Sequence, residues 1–186
     1  MSPAMKTYTQ AAMLALWRRS LGLDELRNDC TVEVFEGRDV AAALLPMMRR
    51  WYLDLLDSAP AGRVPVQSHT LAVQPVANSR AVRVTMPAAV RRVIHVRADT
   101  WSVAVAPLAA SMAAGALARI SSPYAAPTVR RPLAVDRGDG TVDLYPGAGV
   151  ASATVSAVTD PGDDIYTLDE ALLGTIPTTI TQITEL

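Results

Sequence analysis

The sequence predicts an α+β fold with an N-terminal antiparallel helix pair, a β-rich middle of short antiparallel strands and a short C-terminal helix. Apolar residues recur at helical spacing near the N-terminus, short alternating runs bounded by prolines fill the middle, and a second helical stripe follows near the C-terminus. We expect one compact domain with a helical region over residues 1–57, a β-rich region over 64–160 that includes an Ala-rich helix near 108–120, and a helical segment over 165–186.

The first helix is predicted by a capping pattern and an apolar stripe. Thr7 stands three residues before Gln10, which is the spacing of an N-terminal capping box. Gly22 is suited to a left-handed C-cap. The apolar residues between them that recur at helical spacing are Met13, Leu16, Trp17 and Leu21.

A second helix is predicted from about Arg38 to Asp57, where Pro46 should introduce a kink or mark the true start. Its apolar stripe follows the i, i+4, i+7 rule through Val40, Leu44, Met47 or Met48, Trp51 and Leu55. Trp17 and Trp51 lie on the stripes of the two helices, so we expect both to be buried and close together.

Alternating apolar residues predict several short strands in the middle of the chain. The runs are 64–76, 82–86, 93–98, 101–105 and 151–158. The clearest hairpin joins residues 133–135 to 142–145 through the turn Gly138-Asp139-Gly140. Near the C-terminus, Thr167 and Glu170 form a second capping pattern, so a helix is predicted after them.

Charge and cysteine content limit the classes of partner. The formal net charge is −1, which gives no overall field to attract nucleic acid or an anionic membrane. Cys30 is the only cysteine, so no intrachain disulfide is possible and a reducing compartment is favoured. No stretch approaches the ~20 apolar residues of a membrane span, so we expect a soluble, cytoplasmic chain without a membrane partner.

Clusters of chemically active residues are missing from the sequence. His69 and His95 are isolated, and the turn at Asp160, Asp163 and Asp164 lacks the full ligand series of a calcium loop. The glycines of the predicted hairpin lack the strand–helix context of a phosphate loop. We therefore predict no catalytic residue, no cofactor and no metal site, which indicates a non-enzymatic protein.

Other residues are candidates for contacts with partners. Lys6 is the only lysine among 17 basic residues, and arginines recur in adjacent pairs. We favour Arg49-Arg50 and Arg130-Arg131 as pairs that face carboxylates of a partner subunit, with a solvated face as the alternative. Trp101 is predicted to lie in the core or at an interface. The apolar stripe near the C-terminus, which we expect to dock on a neighbouring subunit, includes Ile176, Ile180 and Ile183.

The N-terminal third resembles the head-to-tail connector, or adaptor, proteins of short-tailed bacteriophages. Lys6-Thr7 leads into an Ala- and Leu-rich helix that ends at Leu21-Gly22, and a polar gap comes after it. The second helix carries a run similar to the family's "MM, two residues, WY, one residue, D", namely Met47-Met48, Trp51-Tyr52 and Asp54.

The middle of the chain resembles ring proteins of crAss-like gut phages. In those proteins a Pro-containing strand segment with a following Trp precedes a Pro-bounded loop and a hairpin that ends in "lyp". The counterparts in this sequence are Met86-Pro87, residues 90–93, Val96-Arg97, Trp101, residues 131–134 and Leu144-Tyr145-Pro146.

These resemblances imply a structural virion protein found in the neck or tail, and in the host cytoplasm during assembly. Such proteins form a ring, often of twelve copies, that docks on the portal protein, extends the channel for double-stranded DNA and supports a downstream tail or ring protein. The family has no catalytic residues to transfer. Two alternatives stay open: another virion component, such as a capsid decoration or tail protein, and a bacterial small-molecule-binding domain.

Overall fold

The computed structural model describes residues 5–23, 34–35, 38–120, 122 and 124–178, which form a mixed α+β structure. The chain divides into two compact units. The terminal unit comprises Met1–Pro65 and Asp160–Leu186, and the β unit comprises Val66–Thr159. The N-terminal region and the C-terminal segment belong to the same unit.

The elements follow one another through both units. The terminal unit begins with β1 (Met5–Thr9), α1 (Gln10–Ser20), β2 (Val34–Phe35), β3 (Arg38–Asp39) and α2 (Val40–Ser58). The β unit contains β4 (Val66–Pro75), β5 (Val82–Thr85), β6 (Val90–Ala98), β7 (Leu108–Ala109), α3 (Ala114–Ile120), β8 (Leu133–Asp136), β9 (Thr141–Tyr145) and β10 (Ser152–Thr159). The chain returns to the terminal unit with β11 (Ile165–Asp169), and short 3-10 helices occupy Ala61–Arg63, Ala110–Met112 and Glu170–Thr175.

The expected start of the first helix at Thr7 is wrong. Thr7 lies in β1, which pairs antiparallel with β11, and its hydroxyl lies 3.0 Å from that of Thr167 on the partner strand. Thr9 is the N-cap of α1 instead, and its hydroxyl accepts a hydrogen bond from the Ala12 amide at 3.3 Å. A capping pattern depends only on neighbouring residues, so it cannot predict pairing with a strand that lies far away in the sequence.

The expected C-terminal helix is wrong in its first part. Ile165–Asp169 is strand β11, because its alternating β-branched and aromatic side chains suit pairing with β1. The next element, Glu170–Thr175, is a 3-10 helix. Asp169, rather than Thr167, caps this helix by accepting a hydrogen bond from the Ala171 amide at 3.0 Å. Residues 179–186 of the predicted segment lie outside the described residues.

The core of the terminal unit contains large side chains. Trp17 and Trp51 are both buried, and their ring centroids lie 5.8 Å apart in an edge-to-face arrangement. The expected contact between the two tryptophans is therefore confirmed. The Trp51 indole also donates a hydrogen bond to the Thr175 hydroxyl at 3.2 Å. Other fully buried side chains in this unit are Met13, Met48, Tyr52, Leu56, Tyr166 and Leu168.

The β unit is built on a seven-stranded sheet with the strand order β6-β10-β4-β5-β9-β8-β7. Neighbouring strands pair antiparallel except β7 and β8, which are parallel. The predicted hairpin is confirmed as β8 and β9, which pair from Leu133↔Tyr145 to Asp136↔Val142. The predicted strands over 64–76, 82–86, 93–98 and 151–158 correspond to β4, β5, β6 and β10.

Two expected elements of the β unit differ from the structure. The run 101–105 is not a strand in this described stretch, where Val105 forms an isolated bridge with Val96. The Ala-rich helix begins at Ala114 rather than near 108, because Leu108–Ala109 pairs in parallel with Val135–Asp136. Tertiary pairing therefore overrides the helical propensity of Leu108 and Ala109.

Small side chains fill the interior of the β unit. Its buried cluster consists mainly of Ala and Val, which allow the backbones to lie close together. Gly147 illustrates this close approach, because a Cβ atom at that position would lie 2.6 Å from the backbone nitrogen of Val82. A larger residue at 147 would force β5 away from the turn after β9.

One buried charge lies within the β unit. Asp143 on β9 is fully buried, and its carboxylate accepts hydrogen bonds from Arg83 Nε at 2.7 Å and from Arg137 Nε at 2.7 Å. Burial by itself raises the pKa of Asp143, but the hydrogen bonds and charges of the two arginines outweigh it and hold that pKa below its ordinary value. The carboxylate thereby joins β5, β9 and Arg137 at the start of the hairpin loop.

Truncation of the buried tryptophan on α2 tests the core of the terminal unit. We expect Trp51→Ala to lower the free energy of unfolding by about 3–5 kcal/mol, since it removes the ring contact with Trp17 and leaves a cavity. Tyr124→Ala is the control, because Tyr124 is 99% exposed and its removal empties no buried space. Urea denaturation measures both, and equal values for the two variants would contradict this account of the core.

The buried carboxylate gives a pH dependence with a defined sign. Because the pKa of Asp143 is lower in the folded chain, its contribution is complete above the ordinary pKa of ~3.9 and is lost as the pH falls below it. Asp143→Asn should lower the free energy of unfolding by about 1–3 kcal/mol at neutral pH. Denaturant titrations of both proteins between about pH 6 and pH 2 should show this difference shrinking toward acid. A difference that grew toward acid would refute the assignment.

Candidate interaction surface

The first predicted arginine pair is divided between two environments. Arg49 on α2 forms ion pairs with Asp160 and with Asp163, the latter with Nε and Oδ1 2.9 Å apart, and it donates to the Gly162 carbonyl at 3.1 Å. Arg50 is exposed, because successive residues on a helix point about 100° apart. Arg49 therefore binds the acidic turn of its own chain, and Arg50 alone of this pair faces solvent.

The residues of the connector-like run on α2 have internal roles. Met48, Trp51 and Tyr52 are buried within the terminal unit. The Tyr52 hydroxyl donates to the carbonyl of Thr167 and accepts from its amide, each at 3.0 Å, and burial raises the pKa of Tyr52 to about 12. These contacts attach β11 to α2, so packing within the chain accounts for much of the run.

The remaining predicted candidates lie in different places. Trp101 is buried in the core of the β unit, where its indole donates to the Pro146 carbonyl at 3.1 Å. Ile176 is buried in the terminal unit. Ile180 and Ile183 lie outside the described residues. Of the two environments predicted for Trp101, the core and an interface, the structure shows the core.

Arg130 and Arg131 line an open cleft in the β unit, together with Arg119. The cleft has a volume of about 660 Å³. Its wall is otherwise formed mainly by small or apolar side chains. The lining residues are Leu108, Ala116, Arg119, Tyr124, Ala125, Ala126, Pro127, Thr128, Arg130, Arg131, Pro132 and Leu133.

Helix α3 forms one side of the cleft because of how it packs. Leu117 and Ile120 contact the buried cluster that contains Val135 and Tyr145. Ala116 and Arg119, three residues apart, share the adjacent face of the helix and line the cleft. The apolar stripe of a single short helix thus sets the position of the Arg119 side chain.

Backbone hydrogen bonds hold the opposite side of the cleft. The Thr128 and Arg131 backbones bond to each other in both directions, at 3.2 and 3.0 Å, and the Arg131 amide also donates to the Thr128 hydroxyl at 3.2 Å. The Ser102 amide donates to the Val129 carbonyl at 2.9 Å. The turn that carries Arg130 and Arg131 is therefore fixed by main-chain contacts, and both of these arginines are exposed.

The cleft is lined by positively charged residues, and exposed apolar side chains lie in it or on the segment that precedes α3. Among the described residues that line it there is no Asp or Glu, and none of its three guanidinium groups forms an ion pair in the described part of the chain. Tyr124 is 99% exposed, and Met112, on the segment that precedes α3, is 78% exposed. Exposed Arg, Tyr and Met side chains are the types enriched in protein interfaces.

Sequence reasoning identified only part of this surface. It selected Arg130 and Arg131 but missed Arg119, Met112 and Tyr124. The available signal was the position of Tyr124 within the Pro-rich stretch 123–132, where a large aromatic residue has few ways to reach a core. Arg119 gave no such signal, because only the packing of α3 brings it to the cleft.

The chain was compared with known protein families and proteins. No model of a known protein family matches the chain, and no curated protein matches it significantly. Among residues 5–23, 34–35, 38–120, 122 and 124–178, no group of three or more His, Cys, Asp or Glu residues is placed to hold a metal ion. No helix in the same part of the chain has both the length and the apolar content to cross a bilayer.

The adjacent arginines on α2 provide a matched pair of substitutions. Arg49→Met should lower the free energy of unfolding by about 1–3 kcal/mol, because it leaves Asp160 partly buried without its cation. Arg50→Met should change it by less than about 0.5 kcal/mol, as for other exposed sites. Thermal and urea unfolding of both variants measures the difference, and an equal effect of the two substitutions would show that the ion pairs of Arg49 are not stabilising.

Proposed function

We propose that this chain is a non-catalytic structural protein of a bacteriophage particle, which forms a ring that connects the head to the tail. In this role it docks on the portal protein, extends the channel for double-stranded DNA and supports a downstream tail or ring protein. The DNA passes without sequence-specific binding, and no cofactor takes part. The chain is made in the host cytoplasm and ends in the neck of the virion.

The observation that carries the assembly role is the exposed surface around the arginine cleft. Leu108 and Tyr124 line the cleft, Val129 directly precedes Arg130, Met112 precedes α3, and Val103 follows Ser102, whose amide bonds to the Val129 carbonyl. Each of these five apolar residues is more than a third exposed. Exposed apolar groups beside guanidinium groups that have no acidic neighbour in the cleft are typical of surfaces that a partner covers. The resemblance of the α2 run and of the middle segment to connector and ring proteins supports a phage particle as the setting.

A ring requires two different surfaces on each copy. A contact in which one surface of a subunit meets another surface of its neighbour generates a closed ring when the rotation is right, and the family resemblance suggests twelve copies. The surface around the cleft is one such candidate. We expect the chain to be monomeric in isolation when the portal protein serves as the template for the ring.

Two alternative functions have specific support. Another virion component, such as a capsid decoration or tail protein, requires the same kind of exposed surface and differs in its position in the particle. A bacterial small-molecule-binding domain is favoured by the volume of the cleft, about 660 Å³, which lies in the range of small-ligand sites. Imaging of native particles distinguishes them: density for the chain on the portal axis supports the connector, and density at non-axial capsid sites supports a decoration protein. Absence from every particle rejects both.

Substitution of the exposed apolar side chains tests the assembly surface. We expect Met112→Ser combined with Tyr124→Ser to leave the thermal unfolding temperature unchanged, since neither side chain is buried. Association with the portal protein should weaken by about tenfold or more, as expected when aromatic contacts leave an interface core. Mass measurement of the mixture reads out assembly, and Gln67→Ser with Gln74→Ser, at exposed positions of β4, is the control. Unchanged assembly of the Met112/Tyr124 variant would exclude this surface.

A further inference from the structure

We propose that the cleft lined by Arg119, Arg130 and Arg131 is a binding site for an acidic, extended peptide segment of a partner protein. Three arginine residues line one concavity that has no described acidic lining residue. Guanidinium groups bind carboxylates through paired hydrogen bonds, so several of them in one cleft favour a ligand with more than one carboxylate. The proposal holds whether or not the chain forms a ring.

The remainder of the cleft wall favours a peptide over a free anion. Small apolar residues line the same cleft as the arginines, namely Ala125, Ala126, Pro127 and Pro132. A small inorganic anion has no use for such surfaces, whereas the backbone and aliphatic carbons of a peptide can pack on them. Tyr124, which is fully exposed at the cleft, adds an aromatic group of the kind that anchors peptide ligands.

The arrangement of charge disfavours a DNA duplex as the ligand. A duplex carries regularly spaced phosphates along its length and is bound by basic groups spread over an extended track. Here the three arginines are confined to one cleft of about 660 Å³, and the net charge of the chain is −1. The site therefore matches a short chain of carboxylates better than a long track of phosphates.

The backbone geometry makes the site testable without unfolding the chain. The turn that carries Arg130 and Arg131 is held by main-chain atoms and by the Thr128 hydroxyl, so neither arginine side chain is needed for it. Arg130→Gln with Arg131→Gln should therefore leave the far-UV spectrum and thermal unfolding unchanged. The matched control is Arg80→Gln with Arg97→Gln, which removes the same charge from exposed positions of the β unit outside the cleft.

The probe is a short fluorescein-labelled peptide of alternating Glu and Ala, mixed with the full chain and followed by fluorescence anisotropy at low ionic strength. We expect binding that weakens with added salt and falls by about tenfold in the Arg130/Arg131 variant, while the Arg80/Arg97 control binds as the unaltered chain does. Arg130→Lys with Arg131→Lys should restore binding in part, because it keeps the charge but loses the planar donor pair.

Several results would overturn the proposal. These are no binding of the acidic peptide, equal binding of the matching Gln–Ala peptide, or equal losses in the Arg130/Arg131 and Arg80/Arg97 variants. Displacement of the peptide by an equal concentration of inorganic phosphate would assign the site to a free anion instead. Tighter binding of a short DNA duplex, lost in the Arg130/Arg131 variant, would assign it to nucleic acid.

Discussion

The pairing of β1 with β11 is the constraint on which the terminal unit depends. It joins residues near the start of the chain to residues that come after the entire β unit, from Met5↔Asp169 to Thr9↔Ile165. Bringing such distant segments together costs loop-closure entropy, so the paired strands need further contacts to remain together. Those contacts come from α2, where Tyr52 bonds to both backbone groups of Thr167 and Arg49 binds the turn before β11.

Most residues of the run 48–52 on α2 have a role in closing the terminal unit. Met48 and Trp51 fill the core of the terminal unit, Tyr52 holds β11, and Arg49 neutralises Asp160. Each of these residues is determined by a contact inside the chain. Because these side chains are occupied inside the chain, the contacts that select a partner must come from other, exposed residues.

Local patterns predicted elements with a clear alternating or helical stripe, including β4, β5 and β10, whose pairing partners lie far away in the sequence. The β8–β9 hairpin and the stripes that bring Trp17 to Trp51 follow from spacing and turn residues alone. The sequence places Thr7, Thr167 and Leu108 in helices, but all three lie in strands. Each pairs with a strand that is distant in the sequence, which a local pattern cannot predict. The candidate surface was predicted only at Arg130 and Arg131, since no periodicity connects them to Arg119 before α3 is packed.

The arginines fall into two groups: some form ion pairs within the chain, and others are exposed and available to bind a partner. Arg49, Arg83 and Arg137 lie beside buried or partly buried carboxylates, so each is committed to its own chain. The buried carboxylate of Asp143 binds two of them, Arg83 and Arg137. A guanidinium group in water loses little by remaining unpaired, but it gains when a partner brings carboxylates and excludes solvent. The same residue type thus stabilises the fold where an acid is built into the chain, and remains available for a partner at Arg119, Arg130 and Arg131, where none of the described lining residues is acidic.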